Sequence, residues 1–320
     1  MAQDEAISRV STVDPQVCEF VQRLSEAYAS HGTPADVADR RRIAELVRRP
    51  WVEGGPKMAE TRDFTIAGLR LRLHRPDLEA NCPVLLYVHG GGWVLFSIDT
   101  HDRLMREYAA RAGIAVLGVD YSRSPEAKFP VALDEVGRVL DWIEAEGADI
   151  SLDPRRILIG GDSVGANLAT AACLKRRDQG RAKLSGMLLS YGAFDPKRTA
   201  SYDRYSGPDY TLEALEMDAF WSAYTDHPGQ YENPLVSPLR AQLHDLPPAF
   251  LAVAECDILA DSSYAFADKL RKAGVPVELV TYHGATHSFL EAVSVAPLAG
   301  RALDDQARWI RERVRDVRPA

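Results

Sequence analysis

The sequence predicts an α/β fold built on a mostly parallel sheet with helices on both faces. Three observations carry that expectation. From residue 83 onward, short apolar runs alternate with helical periodicity, the pattern of repeated βα units. The run Val84–Val88 is apolar at every position, as a strand covered on two faces must be. Finally, ILIGGDSVGANLA at 157–169 reads as strand, tight turn and helix start, with Ser163 on the turn between Gly161 and Gly165.

The chain has 320 residues, 46% of them hydrophobic, enough for one large domain with a smaller appendage. Residues 14–30 repeat apolar groups at helical spacing through Val17, Phe20, Val21, Leu24 and Tyr28. A second helix is expected from Pro34 to about Arg49, with Pro50 ending it and its RRRIAELVRR run forming a solvated basic face. Residues 1–55 thus read as an N-terminal helical part. Thr61–Ile66 and Leu69–His74 alternate apolar and polar about Ala67-Gly68, which predicts a hairpin at one edge of the sheet.

The βα alternation then runs through a strand at Pro83–His89, a helix at Thr100–Ala112 and a strand at Ile114–Asp120. It continues with a helix at Val131–Glu146, a strand at Arg156–Gly160, a helix at Val164–Arg177 and a strand at Leu184–Tyr191. Residues 195–246 interrupt it with an aromatic, proline-rich insertion holding one predicted helix, Leu212–Tyr224; insertions of that length are more often functional than idle. The sheet resumes with a strand at Ala249–Ala254, a helix at Asp261–Ala273, a strand at Pro276–Tyr282 and a closing helix from about Pro297 to Arg315. The main domain is therefore 56–194 plus 247–320.

Composition narrows the function. A net charge of -8 argues against a nucleic-acid partner and gives no attraction to an anionic membrane. The opening MAQDEAISRV lacks the apolar core of a secretory signal, no run is long enough to span a membrane, and four scattered cysteines fit reduced thiols. A cytoplasmic location is expected. The sequence leaves homo-oligomer formation open.

The turn at Ser163 lifts a hydroxyl clear of the sheet and aims a helix N-terminus at the same place. A nucleophile there needs a base, a group to orient the base, and donors for an oxyanion. His287, in YHGATHSF just after the last strand, is the base; its neighbour His283 falls on the strand side of Gly284. Asp257, after the preceding strand, is the orienting acid, whereas Asp261 reads as a helix N-cap. The order Ser163, Asp257, His287 is that expected after a nucleophile elbow. The triple glycine of HGGGW at 89–93 lets backbone approach a ligand, so the N–H groups of Gly91 and Gly92, with that of Val164, form the expected oxyanion hole. Asp162 is expected to accept N–H groups of its own turn. Asp99-Thr100-His101-Asp102 reads as a helix start rather than a metal site. Glu126 reads as a surface carboxylate, and His89 as a holder of the glycine loop. Trp93 has two readings, core or pocket wall; it and Tyr191 are the substrate-binding candidates.

Taken together, HGGGW at 89–93, DYSRSPEAKFPVALDEV at 120–136, GDSVG at 161–165, AECDILAD at 254–261 and YHGATHSF at 282–289 resemble the bacterial hormone-sensitive-lipase-like branch of the α/β-hydrolases. The wording is most similar to its bacterial acetyl esterases. The resemblance covers the chain from about residue 60. It implies an eight-stranded sheet, a helical cap made from the N-terminal part and the 195–246 insertion, hydrolysis of short-chain acyl esters, and no metal or organic cofactor. Val164, Ala166 and Ser288 depart from the usual wording, and the β-branched Val164 is expected to narrow the acyl site. Two other classes share the pattern: a ligand-binding protein on the same fold, against which His287 argues, and an amidase or acyltransferase using the same triad.

Overall fold

A computed structural model describes residues 13–315, so the opening decapeptide lies outside the described residues. The hairpin forms as β1 (Glu60–Ile66) and β2 (Leu69–Arg75), closed by Ala67 and Gly68, both at positive φ, as a two-residue turn of the primed kind requires. β3 (Cys82–Val88), β4 (Ala115–Asp120), β5 (Leu152–Asp162), β6 (Gly186–Ser190), β7 (Ala249–Cys256) and β8 (Val277–Thr286) complete an eight-stranded sheet. Its order is β1-β2-β4-β3-β5-β6-β7-β8. β1–β2 and β2–β4 pair antiparallel, and every later pair is parallel.

Strand alternation sorts β3 between two cores. Val84, Leu86 and Val88 pack in a cluster with α4 (Val131–Glu146), α5 (Val164–Asp178) and α8 (Ala260–Lys272). Leu85 and Tyr87 face the other way, into a cluster with α3 (Asp102–Ala112), α9 (Pro297–Arg315) and α1 (Pro15–Ser30). β3 is therefore apolar throughout because both of its faces are core.

Two helices flank the site from the N-terminal part, α1 and α2 (Val37–Val52). Two more come from the insertion, α6 (Ala200–Tyr205) and α7 (Ala214–Tyr224). α2 departs from expectation at both ends. Asp36 caps it by accepting from the Asp39 N–H, so Pro34 stays outside. Pro50 lies within its last turn, and the helix continues because Trp51 beyond it is buried edge-on against Phe20, 4.6 Å between ring centroids. The basic run is also not a uniformly solvated face: Arg42 and Arg49 are exposed, but Arg48 is buried.

Two expected caps are replaced by tertiary contacts. Asp261 does not cap α8, which has Leu259 at its N-cap; its carboxylate accepts from the Ser201 N–H at 2.9 Å and pairs with Arg204, tying α6 to α8. Asp99 and Thr100 leave the first turn of α3 without a side-chain cap. Asp99 pairs with Arg70 and Arg72, and Thr100 bonds to Ser97. Among the described residues, no group of three or more His, Cys, Asp and Glu could hold a metal ion, no helix is long and apolar enough to cross a membrane, and none of the four cysteines forms a disulfide.

The tightest packing lies where β3 meets the β5–α5 turn. A Cβ added to Gly161 or Gly165 would land on the Val88 carbonyl oxygen, which is main chain and cannot step aside. Gly165→Ala should therefore lower the free energy of unfolding by about 1–3 kcal/mol, read as a lower midpoint of chemical unfolding. An unchanged midpoint would mean that β3 and the turn can separate.

Candidate active site

β3, β5, β7 and β8 run parallel, so their carboxyl ends share one edge of the sheet. The glycine loop follows β3, Ser163 follows β5, Asp257 follows β7 and His287 follows β8. The edge brings together residues spread over nearly two hundred positions.

Ser163 has φ 54 and ψ -120, a conformation costly for a residue with a side chain. The turn is pinned on both sides: the Ser163 N–H donates to the Ser190 carbonyl at 2.9 Å, and its carbonyl accepts from the Ala193 N–H at 3.2 Å. Ser163 occupies the N-cap position of α5, yet its side chain makes no capping bond. The hydroxyl is instead 3.0 Å from Nε2 of His287, whose Nδ1 is 2.7 Å from Oδ2 of Asp257. A carboxylate can only accept, so Nδ1 carries the proton and Nε2 accepts from the serine hydroxyl. The other Asp257 oxygen accepts the Leu259 N–H, which fixes the carboxylate's rotation.

All three side chains are buried. Burial pushes the imidazole's pKa down, but the charge of Asp257 and its hydrogen bond outweigh it, and the result lies above the ordinary histidine value. Thr211, from the insertion, donates its hydroxyl to the His287 carbonyl at 2.5 Å. Sequence reasoning missed this contact, because nothing in the local pattern of residue 211 marks it.

The glycine loop faces the same hydroxyl. Gly91 and Gly92 line the cavity with Ser163 and His287. Among the hydrogen bonds of the described residues, neither Gly91 nor Gly92 donates its N–H. A Cβ on Gly92 would overlap the Phe220 ring of α7. Asp162 anchors the loop, and not its own turn as expected: Oδ1 accepts from the Gly90 N–H at 3.1 Å and from the Tyr87 hydroxyl at 2.7 Å. Nε2 of buried His101 lies 3.4 Å from the same oxygen. Burial resists charge on both groups, yet the pairing prevails, holding the Asp162 carboxyl below and the His101 imidazole above their ordinary values. His89 behaves as expected of a loop holder. Its Nδ1–H donates to the Gly90 carbonyl, its ring stacks on Tyr121, and burial pushes its pKa down to about 3. Glu126, read as a plain surface carboxylate, pairs with Arg41, which donates to the Val94 carbonyl of the loop.

Three expectations about the walls are corrected. Trp93 is not on the cavity wall; it is fully buried and stacked on Tyr224, with centroids 4.2 Å apart. Tyr191 does not line the cavity either, and packs edge-on behind the His287 ring at 5.0 Å. The Val164 side chain points into the core, so it does not narrow the site; its N–H remains at the start of α5. The walls come instead from α1, α2 and the 208–220 stretch, including Tyr28, Arg40, Arg48, Glu213, Glu216 and Phe220, around a cavity of about 420 Å³. Arg40 of α2 meets Glu216 of α7 at 2.5 Å, with burial raising the Glu216 pKa against the pull of Arg40.

A family model described as alpha/beta hydrolase fold matches residues 85–291. The chain belongs to the α/β-hydrolase family, in its hormone-sensitive-lipase-like branch. Solved structures extend the likeness over nearly the whole α/β-hydrolase chain. A hyperthermophilic esterase from the archaeon Pyrobaculum calidifontis is 32% identical, with a TM-score of 0.88 over 94% of this chain and 98% of that one. EstE1, a thermophilic carboxylesterase cloned from a metagenomic library, is 32% identical, with a TM-score of 0.84 over 88% and 98%. A serine-to-alanine variant of the esterase rPPE, complexed with (S)-Ac-CPA, is 30% identical, with a TM-score of 0.88 over 96% and 99%.

The imidazole must be neutral to accept the serine proton. Labelling of Ser163 by a fluorophosphonate should therefore slow as pH falls, with a midpoint above the ordinary histidine value of about 6.5. Asp257→Asn should slow labelling about 10⁴-fold by reversing the tautomer. A rate independent of pH from 5 to 8 would exclude His287 as the base.

Proposed function

We propose that this α/β-hydrolase is a serine carboxylesterase acting on short-chain acyl esters through a covalent acyl-enzyme. The observation that carries the reading is the hydrogen-bonded line from the Ser163 hydroxyl through His287 to Asp257, in a cavity that Gly91 and Gly92 also line. Ser163 Oγ attacks the ester carbonyl carbon while Nε2 of His287 takes its proton. The carbonyl oxygen becomes an oxyanion within reach of the Gly91, Gly92 and Val164 N–H groups; losing one such donor typically costs about 2.7–4 kcal/mol of barrier. The tetrahedral adduct collapses, the C–O bond to the alcohol breaks, and the imidazolium protonates the departing oxygen. Water then gives a proton to His287 and attacks the acyl carbon. The acid leaves and Ser163 regains its proton. Asp257 stabilises the imidazolium at both stages without being protonated.

Two features support a preference for short chains. The cavity volume suits a small molecule. Its walls also carry Arg40, Arg48, Glu213 and Glu216, and a long alkyl chain laid along them would desolvate charged groups without replacing their water. The esterase names of the similar structures agree with the ester class. The reading needs no cofactor, and its partner is a small-molecule ester.

Wild-type protein should give a burst of p-nitrophenol from p-nitrophenyl acetate equal to one acyl group per active site, and Ser163→Ala should give none. Across p-nitrophenyl esters from acetate to laurate, kcat/KM should peak at the short end. Burst kinetics surviving in Ser163→Ala would remove the nucleophile assignment, and a maximum at laurate would remove the chain-length assignment.

A further inference from the structure

We propose that Glu255 is a positioning residue for the reaction: it pins a bulge in β8 that brings His287 level with Asp257. The inference rests on the reading of Ser163, His287 and Asp257 above and deepens it.

β7 and β8 pair in one parallel register from Ala249–Val277 to Ala254–Tyr282. Continued unchanged, that register would set Asp257 level with Ala285, and His287 would lie past the acid. The ladder shifts first. Its next pair is Cys256–Thr286, so His283, Gly284 and Ala285 together oppose Glu255 alone. Asp257 and His287, each the next residue along, then come level, and Nδ1 of the imidazole lies 2.7 Å from Oδ2 of the acid. A bulge beside an active site commonly serves to re-aim a side chain in this way.

The extra residues leave main-chain groups outside the ladder, and buried Gly284, at φ 76, carries them. Glu255 supplies the missing acceptor: its Oε2 takes the Gly284 N–H at 2.9 Å. The Gly284 carbonyl accepts the N–H of Asp14, the N-cap of α1, at 2.9 Å. Both polar groups of Gly284 are thus held from outside the ladder. His283 adds an exposed contact, Nδ1 to Oε1 of the same carboxylate at 3.1 Å, of the kind that contributes little.

The place of β8 in the sheet makes this bond matter. β8 is an edge strand with β7 as its one strand neighbour, so its register is set from a single side. Thr211 grips the His287 carbonyl, but nothing in that contact fixes how many residues precede it in the bulge. The Glu255 bond does, because it joins the middle of the bulge to the one residue that the bulge spans.

The test is fluorophosphonate labelling of Ser163, with kinact separated from KI, at a pH where the imidazole is neutral. Glu255→Met keeps the side-chain length and removes the acceptor. It should lower kinact by about 10- to 100-fold with KI unchanged, the cost of misplacing a reacting group by about 1 Å. Glu255→Gln keeps an oxygen for the Gly284 N–H and should label as wild type does, and so should His283→Ala. In Glu255→Met the pH midpoint of labelling should also fall, because a loosened Asp257 raises the imidazole's pKa less. Asp162, Arg48 and Glu216 also act on that imidazole and stay in place in every variant. If Glu255→Met does not fold, Glu255→Ala is read by the same criteria. A wild-type kinact and midpoint in Glu255→Met overturn the inference and leave the ester reading standing. So does a loss in Glu255→Gln as large as in Glu255→Met, which would assign the effect to charge, or an equal loss in His283→Ala, which would assign it to the surface pair. Wild type that resists the probe overturns the nucleophile reading itself, and this inference with it.

Discussion

One buried carboxylate holds the two halves of the site in register. Asp162 ends β5, one residue before the serine, and reaches across to the Gly90 N–H at the start of the glycine loop. Without that bond, the loop after β3 and the turn after β5 would be joined only by packing. A carboxylate this deep needs compensation, and it receives the Tyr87 hydroxyl and faces His101, whose pKa the pairing raises. His101 in turn lies against His89, ring centroids 5.5 Å apart and planes tilted, and burial keeps His89 neutral. The His89 ring bonds the Gly90 carbonyl while the His101 ring faces Asp162.

The helical segments enter this arrangement as structural members and not only as a cover. Arg41 of α2 donates to the Val94 carbonyl, and Thr211 donates to the His287 carbonyl. Phe220 of α7 occupies the space above Gly92, and Arg40 lies over that ring while paired to Glu216. The N-terminal part and the insertion are therefore fastened to each other at the cavity wall, and each also grips one element of the catalytic edge.

The sheet and the edge residues were legible because each announces itself locally. The βα alternation, the apolar run of β3 and the glycines around Ser163 are short-range patterns, and the parallel topology then forces Ser163, Asp257 and His287 onto one edge. The walls were illegible for the converse reason. Arg48 and Arg49 are neighbours in one basic run, and only the packing of α2 decides that the first is buried and the second exposed. Trp93 directly follows the glycine loop and Tyr191 follows β6 at the same edge, yet neither lines the cavity. The capping signals at Asp261 and at Asp99-Thr100 failed similarly, because distant partners, Ser201 and Arg204 for one and Arg70 with Arg72 for the other, outbid the nearby N–H groups.

Backbone strain marks the same edge independently of any motif. Asn81, Ser151 and Asp245 have positive φ in the turns leading into β3, β5 and β7, where small polar residues take that conformation readily. At the carboxyl ends the residues are different in kind: Trp93 and Phe96 after β3, Ser163 after β5, Tyr191 after β6 and Ser288 after β8. Three of these are bulky aromatics, for which the conformation is costly, and two of them, Trp93 and Phe96, are held by packing from the flanking helices. Trp93 is clamped by Tyr224 of α7, Phe96 by Arg48 of α2, and Tyr191 against His287. The helices therefore hold Trp93 and Phe96 in these conformations as well as forming the cavity walls.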